Sequence, residues 1–399
     1  MTGCECNSAS SAGATRSGNA FCEGCKDVSI RRQGTVTRAT PRVQRWHVGL
    51  LALALAAFWP AQLHVHSAGP AEGEPEMHLP DPDEMARVEA AVDRALEYLV
   101  QHQKEDGSWP SGVGNNNGVN AVCLLAFLGR GHVPGRGPYR VVVDRSLRQL
   151  LGSQNEDGLY ESEDASHGPM YEHGLATLAM IEAYGYYPEP ALHRSIQKAV
   201  DLIVRTQNDA GGWRYHPRPR DADLSVTVMQ IVALHAAMNA RFEVPDEAMG
   251  AALDYVRACV HDSGGFRYMP DRGGAASPRS AAGALSLLLL ASTQEDIDFD
   301  DPGIHEALAY VEDSNYRPGQ SHFWYLNYYS MQAFYQAGGD WWEKWHPRVR
   351  DFLLENQHPE GSWEGYSENR YAGDTDCYST AFGAITLQVY LHYLPAYQR

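Results

Sequence analysis

The sequence has few positively charged residues for its length. Its 399 residues include 32 Lys and Arg against 50 Asp and Glu, so the formal net charge is −18. The first 50 residues carry a net charge of +4, which leaves about −22 on the remainder. Nucleic acids and anionic membrane surfaces would repel so acidic a body, which argues against both as partners.

Cysteine is also scarce where a folded domain would use it. Four of the seven cysteines, in C-x-C and C-x-x-C spacings, fall within the first 25 residues: Cys4, Cys6, Cys22 and Cys25. Cys123, Cys259 and Cys377 are too few and too dispersed for a disulfide framework. The N-terminal spacings match no strong zinc motif, so we expect neither a metal nor a cofactor.

No apolar run is long enough to cross a bilayer comfortably. Val48 to Trp59 is an apolar run of 12 residues, preceded by a basic segment and followed by the small residues Ser67 and Ala68. This layout is typical of a secretory signal peptide and predicts an exported protein: periplasmic, envelope-associated or secreted. The 47 residues before Val48 exceed an ordinary n-region, so translation starting near Val43 and a retained short anchor both stay open. Only an uncleaved segment of this kind would contact a membrane.

Composition divides the chain into a leader, a linker and one further domain. We assign residues 1–68 to the leader, whose apolar core is 48–59, and residues 69–84 to an acidic, Pro-rich linker. Residues 85–399 form the remaining domain, in which no strand-like alternation of any length is found.

A repeat runs through this domain. Each copy has an anchor residue, a glycine four residues later and, in five copies, an aromatic residue six later. The anchors lie 51, 53, 53, 55 and 42 residues apart and are Gln103, Gln154, Gln207, Val260, Asn315 and Gln357. An apolar residue stands four positions before every anchor. Six repeats of one structural unit are therefore predicted.

Two helical patterns alternate within the repeats. The segment before an anchor is amphipathic, whereas the segment after it, such as 174–183 or 280–292, is apolar nearly all round. A helix without a polar face must be buried on all sides, so six inner helices inside six outer helices are expected. An open solenoid would leave the inner helices partly exposed. The prediction is an all-α (α/α)6 toroid over residues 84–395.

The anchor motif explains the turn between the two helices. Glycine beside Asp or Asn gives the backbone freedom that a tight turn needs. We expect the aromatic residue to pack back on the end of the outer helix, while the Gln amide bonds helix-terminal backbone groups.

The first copy, from Arg94 through Tyr98 and Gln103 to Trp109, resembles the QW motif of squalene-hopene and oxidosqualene cyclases. Protein prenyltransferase β-subunits and complement-type thioester domains share that toroid, although the GCGEQ-type sequence of the latter is absent here. The resemblance covers about 310 residues. It implies the fold and leaves the activity open, because unrelated functions share the motif.

The resemblance to terpene cyclases implies a catalytic acid where an inner helix begins, facing a central cavity. In RDADLS, Asp223 matches the proton donor of the cyclase DxDD pattern and Asp221 matches its first Asp, but Leu224 replaces the last one. Full cyclases also have two helical domains, and this chain has one. Asp223 as a helix N-cap is the alternative.

The resemblance to prenyltransferases raises a zinc site from Asp376, Cys377 and His322, with Asp374 one residue too far away. The alternative, in which an Asp caps the last helix and Cys377 packs as an apolar residue, is preferred. Asp376 stays a candidate catalytic residue.

Two further clusters lie at inner-helix starts. Glu172 and His173, near His167, could supply general acid–base chemistry for a polysaccharide, or simply cap and solvate the helix. The candidate ligand-pocket residues are Asn120, His322, Trp324, Tyr325 and Tyr328. These aromatics could equally be core.

The function expected is an exported, squalene-cyclase-like toroid that binds or transforms an isoprenoid-like apolar ligand. If it is an enzyme, it would be a cyclase- or mutase-like isomerase or a transferase. A non-catalytic scaffold of the cell envelope and a polysaccharide-active toroid are the alternatives.

Overall fold

The computed structural model describes residues 81–112, 116–162, 168–366 and 375–389. The predicted leader and residues 69–80 of the predicted linker lie outside the described residues, as do His167 and Asp374. Within these ranges the chain forms twelve α-helices and no β-strand.

The helices alternate between an outer and an inner set. The outer helices are α1 (Pro82–His102), α3 (Arg140–Gly152), α5 (Pro190–Thr206), α7 (Asp246–Ala258), α9 (Pro302–Glu312) and α11 (Gly339–Glu355). The inner helices are α2 (Asn117–Gly129), α4 (Met170–Tyr186), α6 (Leu224–Asn239), α8 (Ser277–Ala291), α10 (Phe323–Ala337) and α12 (Cys377–Gln388). None of the described helices is long and apolar enough to cross a membrane.

The inner helices form a closed ring. Each packs against the inner helix of the next repeat, and α12 packs against α2. Each outer helix after α1 lies against the inner helices of its own and the preceding repeat, and α1 closes the outer ring by packing on α12. The predicted (α/α)6 toroid is confirmed, and the open solenoid is wrong because the last repeat contacts the first.

Burial separates the two helix types as their patterns predict. In α6, every residue from Val226 to Ala237 is buried. In α5, the buried residues form a stripe that includes Leu192, Ile196 and Ile203. Apolar burial at these positions is the main favourable term that holds the rings together.

The anchor glutamines connect neighbouring outer helices. Gln103 Nε2 donates to Gly107 O at 3.1 Å and to Val142 O, in the next outer helix, at 2.9 Å. Gln357 donates to Gly361 O at 2.9 Å and to Ala91 O in α1 at 2.8 Å. We call this arrangement the staple. The hydrogen bond to the next outer helix differs from the sequence-based expectation, which was that the Gln amide bonds backbone groups at the end of its own helix.

The anchor tryptophans do pack back on their own outer helix, as expected. Trp109 Nε1 donates to Leu99 O at 2.7 Å, and Trp363 Nε1 donates to Leu353 O at 2.8 Å. The indoles therefore bond carbonyl groups that the helix end leaves without an intrahelical partner.

Candidate functional site

A cavity of about 480 Å³ lies at the N-terminal ends of the inner helices. All six inner helices contribute to its wall within their first two turns: Gly118, Tyr171, Ser225, Pro278, Tyr325 and Tyr378. Residues from the loops, among them Tyr215, Tyr268 and His322, complete it. Among the described residues, side chains therefore line this end of the barrel and do not plug it.

The wall is mainly aromatic and aliphatic. One helical turn beyond the first contributors lie Val122, Leu175, Met229 and Phe382. Burial raises the pKa of the Tyr171 hydroxyl far above its ordinary value, so this phenol stays neutral at physiological pH. A lining of this kind suits an apolar molecule better than a strongly hydrated one.

Asp223 is buried behind the wall and does not line the cavity. One carboxylate oxygen accepts from Val226 N at 3.0 Å and so caps α6, and the other lies 3.1 Å from Arg214 Nη1. Burial raises the pKa of this carboxyl to about 6, although the Val226 N–H and the Arg214 charge oppose the rise. Asp221 is largely exposed, 3.7 Å from Arg214 Nε.

Two tyrosines of the cavity wall lie against the arginine that pairs with this acid. Arg214 Nη1 also donates to the Tyr268 hydroxyl at 3.2 Å, and the hydroxyls of Tyr268 and Tyr215 hydrogen-bond to each other. Both rings line the cavity, whereas the Asp223 carboxylate does not. Asp223 is therefore held as a helix cap and ion-pair partner.

Glu172 lines the cavity but its carboxylate is occupied. It accepts from Asn116 Nδ2 at 2.9 Å, from Asn117 N at 3.1 Å and from Ser162 Oγ at 2.6 Å. Burial raises the pKa of Glu172, while the bonds from Ser162 and Asn117 oppose that rise. The carboxylate thus ties the start of α2 to α4.

His173 points away from the cavity. Its Nδ1 accepts from Tyr160 N at 3.1 Å, and its Nε2 lies 3.2 Å from Ala199 O. Burial lowers the pKa of this imidazole to about 4, so it is neutral near pH 7. The structure therefore does not combine Glu172 and His173 into an acid–base pair, because consecutive helical residues point about 100° apart.

The position of His173 recurs in every repeat. In five repeats this residue accepts a hydrogen bond from the backbone N–H of the anchor aromatic residue, at 2.8–3.2 Å. In the fifth repeat Asn327 accepts from the Tyr316 hydroxyl at 2.8 Å. We call these residues the staple acceptors: Asn120, His173, Thr227, Ser280, Asn327 and Thr380. Asn120, predicted as a pocket residue, thus holds the turn and lies outside the cavity.

The predicted aromatic cluster is divided between pocket and core. Tyr325 and His322 line the cavity. Trp324 Nε1 donates to Glu364 O at 3.1 Å, and its ring stacks on Tyr366. Tyr328 is buried against Phe382. Trp324 and Tyr328 are therefore outside the lining.

The described residues of the last predicted cluster, at the start of α12, are not arranged as a metal site. Cys377 is fully buried, and its sulfur accepts from Thr375 Oγ1 at 3.4 Å. The Asp376 backbone N–H donates to the Tyr98 hydroxyl at 3.2 Å, and burial raises the pKa of the Asp376 carboxyl. No group of three His, Cys, Asp or Glu side chains in the described ranges could hold a metal ion.

Several lining residues were missed, and the sequence contains a signal for them. Tyr171, Ser225 and Tyr378 each stand two positions before a staple acceptor, as does Tyr325. A search restricted to polar residues at helix starts selects the acceptors instead. Tyr215 and Tyr268 come from loops, each eight residues after the anchor of its repeat, and Arg279 comes from the first turn of α8.

Known proteins share this architecture. No family model matches the chain. Drimenyl diphosphate synthase of Streptomyces showdoensis is 28% identical over 191 residues, a segment that is 47% of this chain and 34% of that protein. The type II terpene cyclase MstE from Scytonema superposes with a TM-score of 0.51 at 16% identity, covering 77% of this chain and all of the other. This chain shares the (α/α)6 toroid fold of that cyclase.

A second group of solved structures has the same fold and other chemistry. The α-1,6-mannanase GH76A of Salegentibacter sp. HEL1_6 superposes with a TM-score of 0.56 at 12% identity, covering 75% of this chain and 98% of the other. The toroid fold is thus a scaffold for more than one activity. The chain spans only about a third of the length of the curated relative that it matches.

Proposed function

We propose that the central cavity binds an isoprenoid-like apolar ligand. The observation that carries the proposal is the cavity of about 480 Å³, lined by aromatic and aliphatic side chains to which all six inner helices contribute. Its volume falls within the roughly 300–1,000 Å³ that small-molecule sites occupy. Tyrosine and phenylalanine faces such as those of Tyr171, Tyr378 and Phe382 suit the flat double bonds of a prenyl chain. Such chains occur in the substrate named for a variant of MstE, geranylgeranyl dihydroxybenzoate.

Binding is favoured over cyclisation by this chain alone. Protonation of an alkene needs a protonated carboxyl directed at the substrate, in contact with it. The Asp223 carboxyl has a pKa of about 6, is paired with Arg214 and is covered by Tyr268. Both carboxylate oxygens of Asp223 are therefore engaged in structural contacts at neutral pH.

The polysaccharide alternative has weaker support. The mannanase neighbours share the toroid, yet glycosidases generally act with two carboxyl groups across the scissile bond. Glu172 is the one carboxylate among the described residues that line the cavity, and it is held by Asn116, Asn117 and Ser162. A scaffold role alone would not account for an open pocket of this size.

A cavity-filling variant tests the proposal. Titrating the full chain with farnesol should quench its intrinsic fluorescence, whereas α-1,6-mannotriose should not. Met229→Trp places an indole in the wall and should abolish farnesol binding. Met238→Trp, on the same helix but outside the lining, is the matched control and should bind as the wild type does. Equal binding by both variants would place the ligand elsewhere, and no binding by the wild type would refute the proposal.

We also propose that the protein is exported, on the strength of the basic segment, the apolar run Val48–Trp59 and the small residues that follow it. N-terminal sequencing of protein isolated from its native source should start near Ser67 or Ala68. Recovery of a peptide from residues 1–30 would contradict cleavage at this site.

A further inference from the structure

Two tyrosines of the cavity wall come from loops and share one arginine. Tyr215 and Tyr268 line the cavity, and their hydroxyls hydrogen-bond to each other. The carbon of the Arg214 guanidinium lies 4.5 Å from the centre of the Tyr215 ring and 5.5 Å from that of Tyr268. Its Nη1 also donates to the Tyr268 hydroxyl at 3.2 Å. One cation therefore contacts both loop tyrosines of the wall.

Arg214 does not line the cavity itself. Its effect on a ligand would therefore pass through the two rings. An arginine suits this role because its planar guanidinium stacks on aromatic faces while its N–H groups bond other partners. A lysine at this position would keep the charge but lose the planar group.

The guanidinium is in turn held by the start of α6. Its Nη1 lies 3.1 Å from Asp223 Oδ2, and the Asp223 carboxylate is fully buried and caps the helix through Val226 N. A second carboxylate, Asp221, lies 3.7 Å from Arg214 Nε but is largely exposed, so solvent screens that pair more strongly. Asp223 thus connects a rigid helix end to the arginine behind the two tyrosines.

We propose that Arg214 is a positioning residue for the ligand cavity, which fixes Tyr215 and Tyr268 in one arrangement while Asp223 is ionised. The assignment rests on the proposed function, since the wall it concerns is that of the same cavity. A wall that is fixed before binding loses less side-chain freedom when the ligand arrives, so the affinity is higher.

The ion pair makes this role dependent on pH. Burial raises the pKa of Asp223 to about 6, although the Val226 N–H and the Arg214 charge oppose the rise. As the pH falls through this value, the carboxyl becomes neutral and Arg214 loses its buried partner. The ordinary pKa is 3.8, so protonation of Asp223 favours the folded chain. Weaker binding near pH 5 would therefore not result from unfolding caused by this group.

The other groups around Asp223 do not account for such a pH dependence. Arg214 stays charged. The remaining neighbours are four phenols and one thiol, contributed by α4, α7, the C-cap of α7, the loop before α8 and α10: Tyr171, Tyr255, Cys259, Tyr268 and Tyr325. Burial raises the pKa of all five, so they stay neutral between pH 5 and pH 7.5. Asp221 is the one further carboxylate, and it is tested separately.

Farnesol binding by the full chain, followed by fluorescence quenching at about pH 7.5 and about pH 5, tests the role of the ion pair. The wild type should bind about threefold to tenfold more weakly at the lower pH. Asp223→Asn keeps a capping residue on α6 but removes the charge, so at both pH values it should bind as the wild type does at the lower one. Asp221→Asn should keep the wild-type pH dependence. A pH dependence that persists in Asp223→Asn, or is lost in Asp221→Asn, would overturn the role of Asp223.

A pair of arginine variants tests the contact with the rings. Arg214→Lys should weaken farnesol binding at about pH 7.5 by about threefold to tenfold. Arg267→Lys is the matched control, because Arg267 occupies the same position in the next repeat. Arg267 instead donates to Val260 O at 3.1 Å and lies 3.6 Å from Asp262, so this variant should bind as the wild type does. Equal losses in the two variants would refute a specific role for Arg214.

A measurement without ligand separates this proposal from the proposed function. In the full chain labelled with fluorotyrosine, the fluorine NMR signals of Tyr215 and Tyr268 can be assigned from the spectra of Tyr215→Phe and Tyr268→Phe. Both signals should shift and broaden in Arg214→Lys and at about pH 5, but not in Arg267→Lys. Unchanged signals in Arg214→Lys would overturn the positioning role whether or not farnesol binds. Absence of farnesol binding by the wild type would overturn the proposed function instead.

Discussion

Gly361→Ala should loosen the contact that closes the ring. Gly361 belongs to the last repeat, has φ of +99° and lies against the backbone of α1. A Cβ atom at this position would lie 2.2 Å from Arg94 O. An ordinary contact requires more than 1 Å of additional separation, so either α1 or the turn must move.

The size of the effect follows from two terms. Alanine in a left-handed conformation costs about 1–2 kcal/mol. Forcing a methyl group against packed backbone adds about 1–3 kcal/mol, because close-packed interiors relax only partly. We therefore expect Gly361→Ala to lower the free energy of unfolding by about 2–5 kcal/mol.

Gly319→Ala is the matched control for this estimate of strain and overlap. Gly319 occupies the same position in the fifth repeat, with φ of +72°, but the nearest atom to an added Cβ is 4.0 Å away. Only the conformational term should then apply, about 1–2 kcal/mol. Urea unfolding of the two variants measures the difference. Equal destabilisation would refute the claim that the glycine is needed for close approach of the next outer helix.

Two further predictions concern the staple and its acceptor. Gln357→Leu removes the bonds to Ala91 O and Gly361 O and should lower the free energy of unfolding by about 1–3 kcal/mol in urea titrations; an unchanged value would mean that water replaces the amide fully. His173 has a folded-state pKa of about 4, below its ordinary 6.5, so its contribution is complete above pH 6.5 and is lost as the pH falls toward 4. At pH 5 this loss is about 2 kcal/mol. His173→Asn, which places in repeat 2 the side chain found at Asn120, should remove that part of the pH dependence, and identical pH dependence in variant and wild type would refute it.

The fold could be predicted because each repeat carries local signals that agree. The amphipathic stripe of α5, the nearly unbroken apolar run of α6 and the Gly-containing turn at Gly211 are all visible in one linear segment. The second hydrogen bond of the anchor glutamine could not be predicted, because its acceptor is distant in the sequence. For Gln207 the acceptor is Ala248 O, 41 residues later. That contact depends on how neighbouring repeats stack.

The candidate site was less predictable because the choice of residues relied on polarity. Asp223 was expected as an acid or an N-cap, and the structure shows the N-cap. The polar side chain of His173 accepts a hydrogen bond from a backbone N–H of the turn, which is a structural role. Arg279 was missed because the sequence alone does not show that its side chain lines the cavity.

The staple acceptors also determine which residues face the axis of the toroid. A residue two positions earlier in a helix lies about 200° away, on nearly the opposite side. In all six inner helices that residue lines the cavity, from Gly118 in α2 to Tyr378 in α12. The outward face of each inner helix is thus committed to closing its repeat, whereas the axial face has no such role. The axial residue can therefore differ from helix to helix, as Ser225 and Tyr171 do, and reshape the cavity without breaking the ring. A common toroid can for this reason serve different ligands.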